Sequence, residues 1–449
     1  MTKKQIGSEP IYDARALGMP RMLVLGLQHM FAMFGATVLV PALTGLDVAT
    51  TLLFAGLGTL LFHLLTKGKV PAFLGSSFAF IGGYQAIAPN KEPELLVYAC
   101  VGVAAAGLMY VVLSALFKAF GVKKVMRFFP PIVTGPIIIA IGLTLSSSAI
   151  TNCSANWLVA IVAIAIVIGF NMWGKGMTKI IPILLGVLGS YVFALIIDPA
   201  ARAHVVETVS EAAWIGLPVH GERTVFSLFG NADFNAGLLV SAIFTIVPLS
   251  LATMVEHIGD VCAISSTVEK NYMVDPGFHR TLLGDGLATS LAALFGAPAN
   301  TTYGENTGVL ALTKIYDPLV IRIAAVFAMV LSFCPKFEAV INTIPTGIVG
   351  GISFVLYGMI SAIGVRNVVE NQVDFTNSRN LIIAAVILVS ALGFNSVGGF
   401  TFSVAGVTIS LSGLAIAALA GIGLNVLLPG NDYEFDKTTG DGEGASLRV

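Results

Sequence analysis

Charge is what this sequence has least of. Only 11% of its 449 residues are Asp, Glu, Lys or Arg, against about 25% in soluble globular domains, which excludes a water-soluble fold of this length. The 24 basic and 25 acidic residues nearly cancel, to a net charge of −1. No long basic block occurs, so no nucleic-acid partner is expected. Cys100, Cys153, Cys262 and Cys334 lie far apart, with no CxxC pair and no histidine at zinc spacing; they read as small residues of a membrane core. A GxxxxGKS/T phosphate loop is missing, which removes ATP-driven pumping by the chain itself. EHIGD (256–260) lacks the second histidine of HExxH, and no nucleophile–base or metal-ligand set is present. No enzyme, metal or cofactor is therefore expected. The polar first twenty residues hold no short apolar stretch followed by a small-residue cleavage site, so the apolar run from Met22 reads as a retained span.

What the chain has instead is apolar surface: 56% hydrophobic residues and a mean hydropathy of +0.89. Each span needs about 20 apolar residues. The sequence predicts about fourteen segments, centred near residues 32, 57, 80, 107, 139, 164, 188, 247, 289, 309, 326, 351, 388 and 415. Alternating the loops in and out puts 20 of the Lys and Arg residues inside and leaves only Lys91, Arg202, Arg223 and Lys336 outside, the bias of a multi-pass protein in a bacterial inner membrane. Both tails, 1–20 and 429–449, then fall in the cytoplasm, and the acidic connection 198–235 falls in the periplasm. The last twenty residues, rich in Gly, Asp and Glu, are expected to be disordered.

Two segments are unlike the rest. Residues 70–88 and 296–313 are short and interrupted by small or polar residues, so their irregular backbone must be buried in protein or line a cavity. They also belong to an internal echo. Gln28-His29 answers Glu256-His257, Ser76-Ser77-Phe78 answers Thr301-Thr302-Tyr303, and Pro130-Pro131 answers Ile344-Pro345. The first two landmarks are 48 and 45 residues apart in the two halves, the second pair 54 and 44. Two repeats of seven spans, 21–197 and 236–428, are expected. Because seven is odd, the second lies inverted, and paired broken helices in inverted repeats point to alternating access around a midplane site.

Membrane carboxylates need a reason, since a charge at a helix centre costs about 2.5–3.5 kcal/mol on insertion scales. Glu256, Asp285 and Glu305 stand out, with Asp260 four residues after Glu256 and so on the same helix face. Ionised carboxylates only accept hydrogen bonds, whereas the first N–H groups of a broken helix donate. A flat ring with alternating N–H and C=O groups suits such a lining; uracil has two of each. Phe78 and Tyr303 could flank the ring, or simply pack in the core. Buried acids can exchange protons near neutral pH, with Asp260 first and Glu256 next as carriers. His29 and His257 could orient these acids or bond between helices.

QHMFAMFGATVLVP (28–41), PAFLGSSFAF (71–80), EHIGD (256–260), DPGFHR (275–280) and TTYGEN (301–306) closely resemble the nucleobase–ascorbate transporter family, most of all its bacterial uracil permeases, over residues 20–428. The resemblance implies fourteen spans in two inverted repeats, with short antiparallel strands in segments 3 and 10. It implies a core domain (21–120 and 236–336) and a gate domain (121–235 and 337–428), and a homodimer formed through the gate. It further implies that Glu256 and Glu305 contact the base, that backbone groups at Phe78 and Gly304 complete the bonding, and that His29 supports them. The expected activity is uracil:H⁺ symport. Glu305 is the acidic form of uracil-type members, whereas Asp260 and Asp285 match purine-type members and keep xanthine open as a substrate. An anion channel or exchanger of related fold is the alternative of another class, and predicts a neutral or basic lining where Glu305 stands.

Overall fold

The computed structural model describes residues 7, 9–230, 234–404, 407–431 and 433. Lys3, Lys4, Lys437, Arg448 and nearly all of the tail expected to be disordered lie outside the described residues. The remainder is mostly helical. Proline at the first turn opens many of the helices, where its missing N–H would be unpaired anyway. The first half runs α1 (Met19–Thr44), α2 (Val48–Leu65), β1 (Leu74–Ser76), α3 (Ile81–Ile87), α4 (Pro93–Phe120), α5 (Val122–Met126), α6 (Pro131–Ser154), α7 (Trp157–Trp173), α8 (Met177–Ile180), α9 (Pro182–Ile197) and α10 (Pro199–Glu211). The second runs α11 (Ala236–Ile246), α12 (Ser250–Val268), α13 (Phe278–Leu294), β2 (Asn300–Thr302), α14 (Gly304–Thr313), α15 (Pro318–Ser332), α16 (Pro335–Asn342), α17 (Thr346–Glu370), α18 (Ser378–Ser396), β3 (Phe400–Val404), β4 (Val407–Leu411) and α19 (Gly413–Leu427).

Seven helices among the described residues are long and apolar enough to cross a membrane. Counting each of two bent pairs as one span gives nine. One of the seven is α11 and α12 read through the turn at Pro248, a run of 33 residues. This is a multi-pass membrane protein. The landmarks of the echo fall on matching elements: His29 in α1 and His257 in α12, the two short strands, and α6 and α17 beginning just after Pro130 and Pro345.

Packing sets α13 against α4 and α2, α2 against α15, and α6 against α17, with α18 lying on α19 and α6. Glycines permit the closest crossings. A Cβ on Gly286 of α13 would lie 2.3 Å from the Tyr110 Cβ and 2.6 Å from the Gly107 carbonyl oxygen of α4. Gly286→Leu is therefore expected to destabilise the fold by about 1–3 kcal/mol, the range for overpacking. The check is gel filtration after detergent extraction, and an elution profile like the parent's would contradict it.

Strand β1 pairs antiparallel with β2, Leu74 opposite Thr302 and Ser76 opposite Asn300. The ribbon is buried on all three positions of each strand. Flanking threonines meet the demand of its backbone for partners inside a membrane: Thr59 of α2 accepts from the Leu74 N–H at 2.9 Å, and Thr289 of α13 donates to the Asn300 carbonyl at 2.7 Å. The Asn300 amide donates to the Phe54 carbonyl at 3.0 Å.

Two features were not evident in the sequence. The connection after Asp198 contains α10, and its later part ties back to the α1–α2 turn, where buried Asp47 caps α2 and lies 3.3 Å from Arg223 and 3.6 Å from His220. A β-hairpin, β3–β4, precedes α19 and packs on α11. At the other end of the bundle Lys69 pairs with Asp275, whose carboxyl the ammonium holds below its ordinary range.

Candidate functional site

The ribbon creates the site. Helices α3 and α14 leave its opposite ends, so both helix N-termini sit beside it in the middle of the bundle. Each presents N–H groups with no partner inside the helix and the positive end of its dipole. Tyr303, just before α14, contributes no side-chain cap, and its own N–H goes to the Phe73 carbonyl at 3.1 Å. Gly304 is exposed, and a Cβ there would meet nothing within 4 Å. Glu305 stands in the first turn of α14, half-buried.

Helix α12 faces this turn. Glu256 and Asp260 lie one turn apart and half-buried, and the Thr302 hydroxyl donates to Asp260 Oδ2 at 2.8 Å. Glu256 Oε2 is buried without a hydrogen-bond partner, as are Ser77 Oγ and Thr301 Oγ1 beside the ribbon. Such atoms are few in folded proteins and mark places where a polar partner fits. The neighbours of Glu256 on this face, Asp260 and Glu305, are acidic as well. The lining thus combines acceptors from carboxylates with donors from helix ends.

The other residues singled out in the sequence take up positions around this centre. Phe78 begins the turn into α3, and its ring meets Tyr357 of α17 edge-on at 5.9 Å between centroids. Tyr303 is buried, its hydroxyl donating to the Ser76 carbonyl at 2.9 Å, with Thr37 Oγ1 3.3 Å away. A Cβ on Gly75 would fall 2.6 Å from the Tyr303 ring, so this tyrosine lies directly over β1. His29 is buried behind α14, where the Asn306 amide reaches its carbonyl at 3.0 Å and Nδ1 at 3.2 Å. That contact leaves the ring proton on Nε2. His257 and Asp285 are wholly buried between α12 and α13, Nδ1 to Oδ2 3.1 Å. This is within ion-pair range, at an angle outside a well-formed hydrogen bond. They flank the Glu256–Asp260 face and do not join it.

Thr302, Asn306, Thr37 and Tyr357 were not singled out. Thr302 and Asn306 were visible only as members of TTYGEN (301–306); nothing in the sequence pairs them with Asp260 and His29. Beyond Phe78, Ala79 and Gly82 border a cavity of ≈ 80 Å³ whose other wall is Thr144, Ser147 and Ser148 of α6 with Ser412.

Residues 20–398 match the model of the Permease family. The chain belongs to the nucleobase–ascorbate transporter family. Within this family a uracil permease of Bacillus caldolyticus is 39% identical over 429 residues, 94% of each chain. The uracil permease of Escherichia coli (strain K12) is 37% identical over 417 residues, 90% of each. A putative pyrimidine permease of the same strain is 38% identical over 422 residues, 90% of this chain and 89% of its own. The fold is shared more widely. The transmembrane domain of a cyanobacterium bicarbonate transporter, BicA, superposes with a TM-score of 0.63 at 15% identity, covering 87% of this chain and 98% of that domain. SLC26A9 does so with 0.62 at 13% identity, over 93% of this chain and 66% of its own. The chain is thus a membrane permease by family and not an enzyme.

Proposed function

We propose that this permease imports uracil together with protons, by alternating access, across a bacterial inner membrane. One observation carries the reading: Glu256 and Glu305, acceptors only, lie where α12 faces the first turn of α14, whose leading N–H groups have no partner inside the helix. A ring edge with alternating donors and acceptors satisfies both kinds of group at once. Gly304 keeps the approach to the α14 backbone free of a side chain. The names of relatives at 37–39% identity support uracil as that ring. In this reading Glu256 and Glu305 bind the N–H groups and the backbone at Phe78 and Gly304 the carbonyls. Tyr303 holds the ribbon in place, and Asp260 carries the coupled proton. His29, His257 and Asp285 fix the surrounding helices, and no cofactor beyond the coupling ion is needed.

Alternating access requires one part of the bundle to move against another. We assign residues 21–120 and 236–336 to a core that carries the site, and 121–235 and 337–428 to a gate through which two copies form a homodimer. The cavity between α3 and α6 lies along this division. Both termini are assigned to the cytoplasm, because that orientation keeps Lys91, Arg202, Arg223 and Lys336 alone outside.

Radiolabelled uptake by the purified protein in proteoliposomes is the test. Uracil uptake should rise with an inward proton gradient, fall to the ungraded level with a protonophore, and be untouched by excess xanthine. Competition by xanthine would favour a purine or broad nucleobase carrier, the second reading, which Asp260 and Asp285 support. Anion exchange, suggested only by the shared fold, sits badly with a lining that holds Glu256, Asp260 and Glu305.

A further inference from the structure

The strand-to-helix turn that carries Gly304 and Glu305 begins at Thr302, the last residue of β2. Its side chain is buried, and its hydroxyl donates to Asp260 Oδ2 at 2.8 Å. This is the one hydrogen bond to the Asp260 carboxyl among the described residues. A hydroxyl has a single proton to give, and it is worth more to an ionised acceptor than to a neutral one. The bond therefore favours the charged form of Asp260.

The neighbouring acids work against that form, and the other titratable side chains of α12 beside it are His257 and Cys262. Asp285 acts on it from α13 and Glu305 from α14, Glu256 shares its helix, and Tyr110 approaches from α4. Helices α6 and α19, which also pack on α12, carry no Asp, Glu, Lys, Arg or His. At the far end of α12 Asp275 is already engaged by Lys69. Thr302 is thus the group that offsets the acidic surroundings.

We propose that Thr302 is a positioning residue that sets how readily Asp260 holds its proton and passes movement of the substrate-facing turn to that proton. The inference rests on Asp260 being the coupling acid. Only Tyr303 separates Thr302 from Gly304 along the chain, so a ring drawn against Gly304 and Glu305 would shift or fix the Thr302 hydroxyl through that short turn. By linkage the reverse holds: the protonation of Asp260 changes the affinity of the turn for its ligand.

The test is the pH profile of uracil uptake by proteoliposomes of the full chain, for the parent, Thr302→Val and Thr302→Ser. Valine keeps the shape and removes the donor; serine keeps the donor. Thr302→Val should move the midpoint up by about one pH unit, the shift expected on losing one hydrogen bond to a charged group. The sign holds whichever protonation state moves substrate, because removal of the donor raises the proton affinity of Asp260. Thr302→Ser should return the midpoint to the parent value, which a purely structural role would not require. Thr302→Ala repeats the measurement if the valine protein does not fold. A parent profile with a midpoint that neither valine nor alanine moves overturns the role of Thr302 and leaves proton coupling standing. A parent profile with no midpoint removes the coupling reading and this inference with it.

Discussion

Glu305→Gln is expected to weaken uracil binding by about 10- to 100-fold, with little change in the yield of folded protein. In the proposed reading the carboxylate in the first turn of α14, at the positive end of the helix dipole, accepts from the ligand, whereas glutamine replaces half of that acceptor by a donor. Hydrogen bonds to charged groups are worth about 1.5–3 kcal/mol, which is the stated range in affinity. The same substitution should relax selectivity towards rings that present an acceptor where uracil presents N–H. Equilibrium binding of labelled uracil to the purified protein, with xanthine as competitor, measures both. An unchanged affinity would mean that Glu305 faces the site without touching the substrate.

Asp260→Asn carries the second large effect, on accumulation rather than on binding. An inward gradient of one pH unit drives about tenfold accumulation for each proton coupled, since a tenfold ratio is 1.4 kcal/mol. Asparagine cannot take up that proton, so uptake in the variant should level off near equal concentrations inside and out. Exchange of labelled for unlabelled uracil, which needs no net proton movement, should survive. Loss of exchange as well would point to a damaged site. Accumulation retained in full would move the proton to Glu256 or Asp285. The pair of measurements separates substrate contact at Glu305 from ion coupling at Asp260, although the two residues act on one another electrostatically.

Much of the architecture was legible in the chain because lipid simplifies it. Each apolar run has to become a helix, since no water is there to satisfy a bare backbone. The run near residue 107 accordingly became α4 and that near 351 became α17. The two odd segments were recognisable for the same reason, being too polar and too short to cross unaided. The four-residue spacing of Glu256 and Asp260 by itself puts them on one helix face. Other features had no local signature. The β3–β4 hairpin is one, hidden within a stretch that also reads as the approach to the last apolar segment. Helix α10 is another, since its mixed run of alanines, valines and polar residues reads as part of the connection.

Composition and a handful of motifs determined by themselves that this is a multi-pass permease, and they picked out the acids of its apolar segments. The tertiary structure alone decided what those acids touch. The bond from Tyr303 to Ser76 joins residues 227 apart, that from Asn306 to His29 spans 277, and Thr302 meets Asp260 only because β2 is pinned to β1 beside α12. Hydrophobic periodicity is a local property that one helix or strand expresses by itself. A hydrogen bond between distant segments depends on angstrom-scale placement, and only the packed bundle sets that placement.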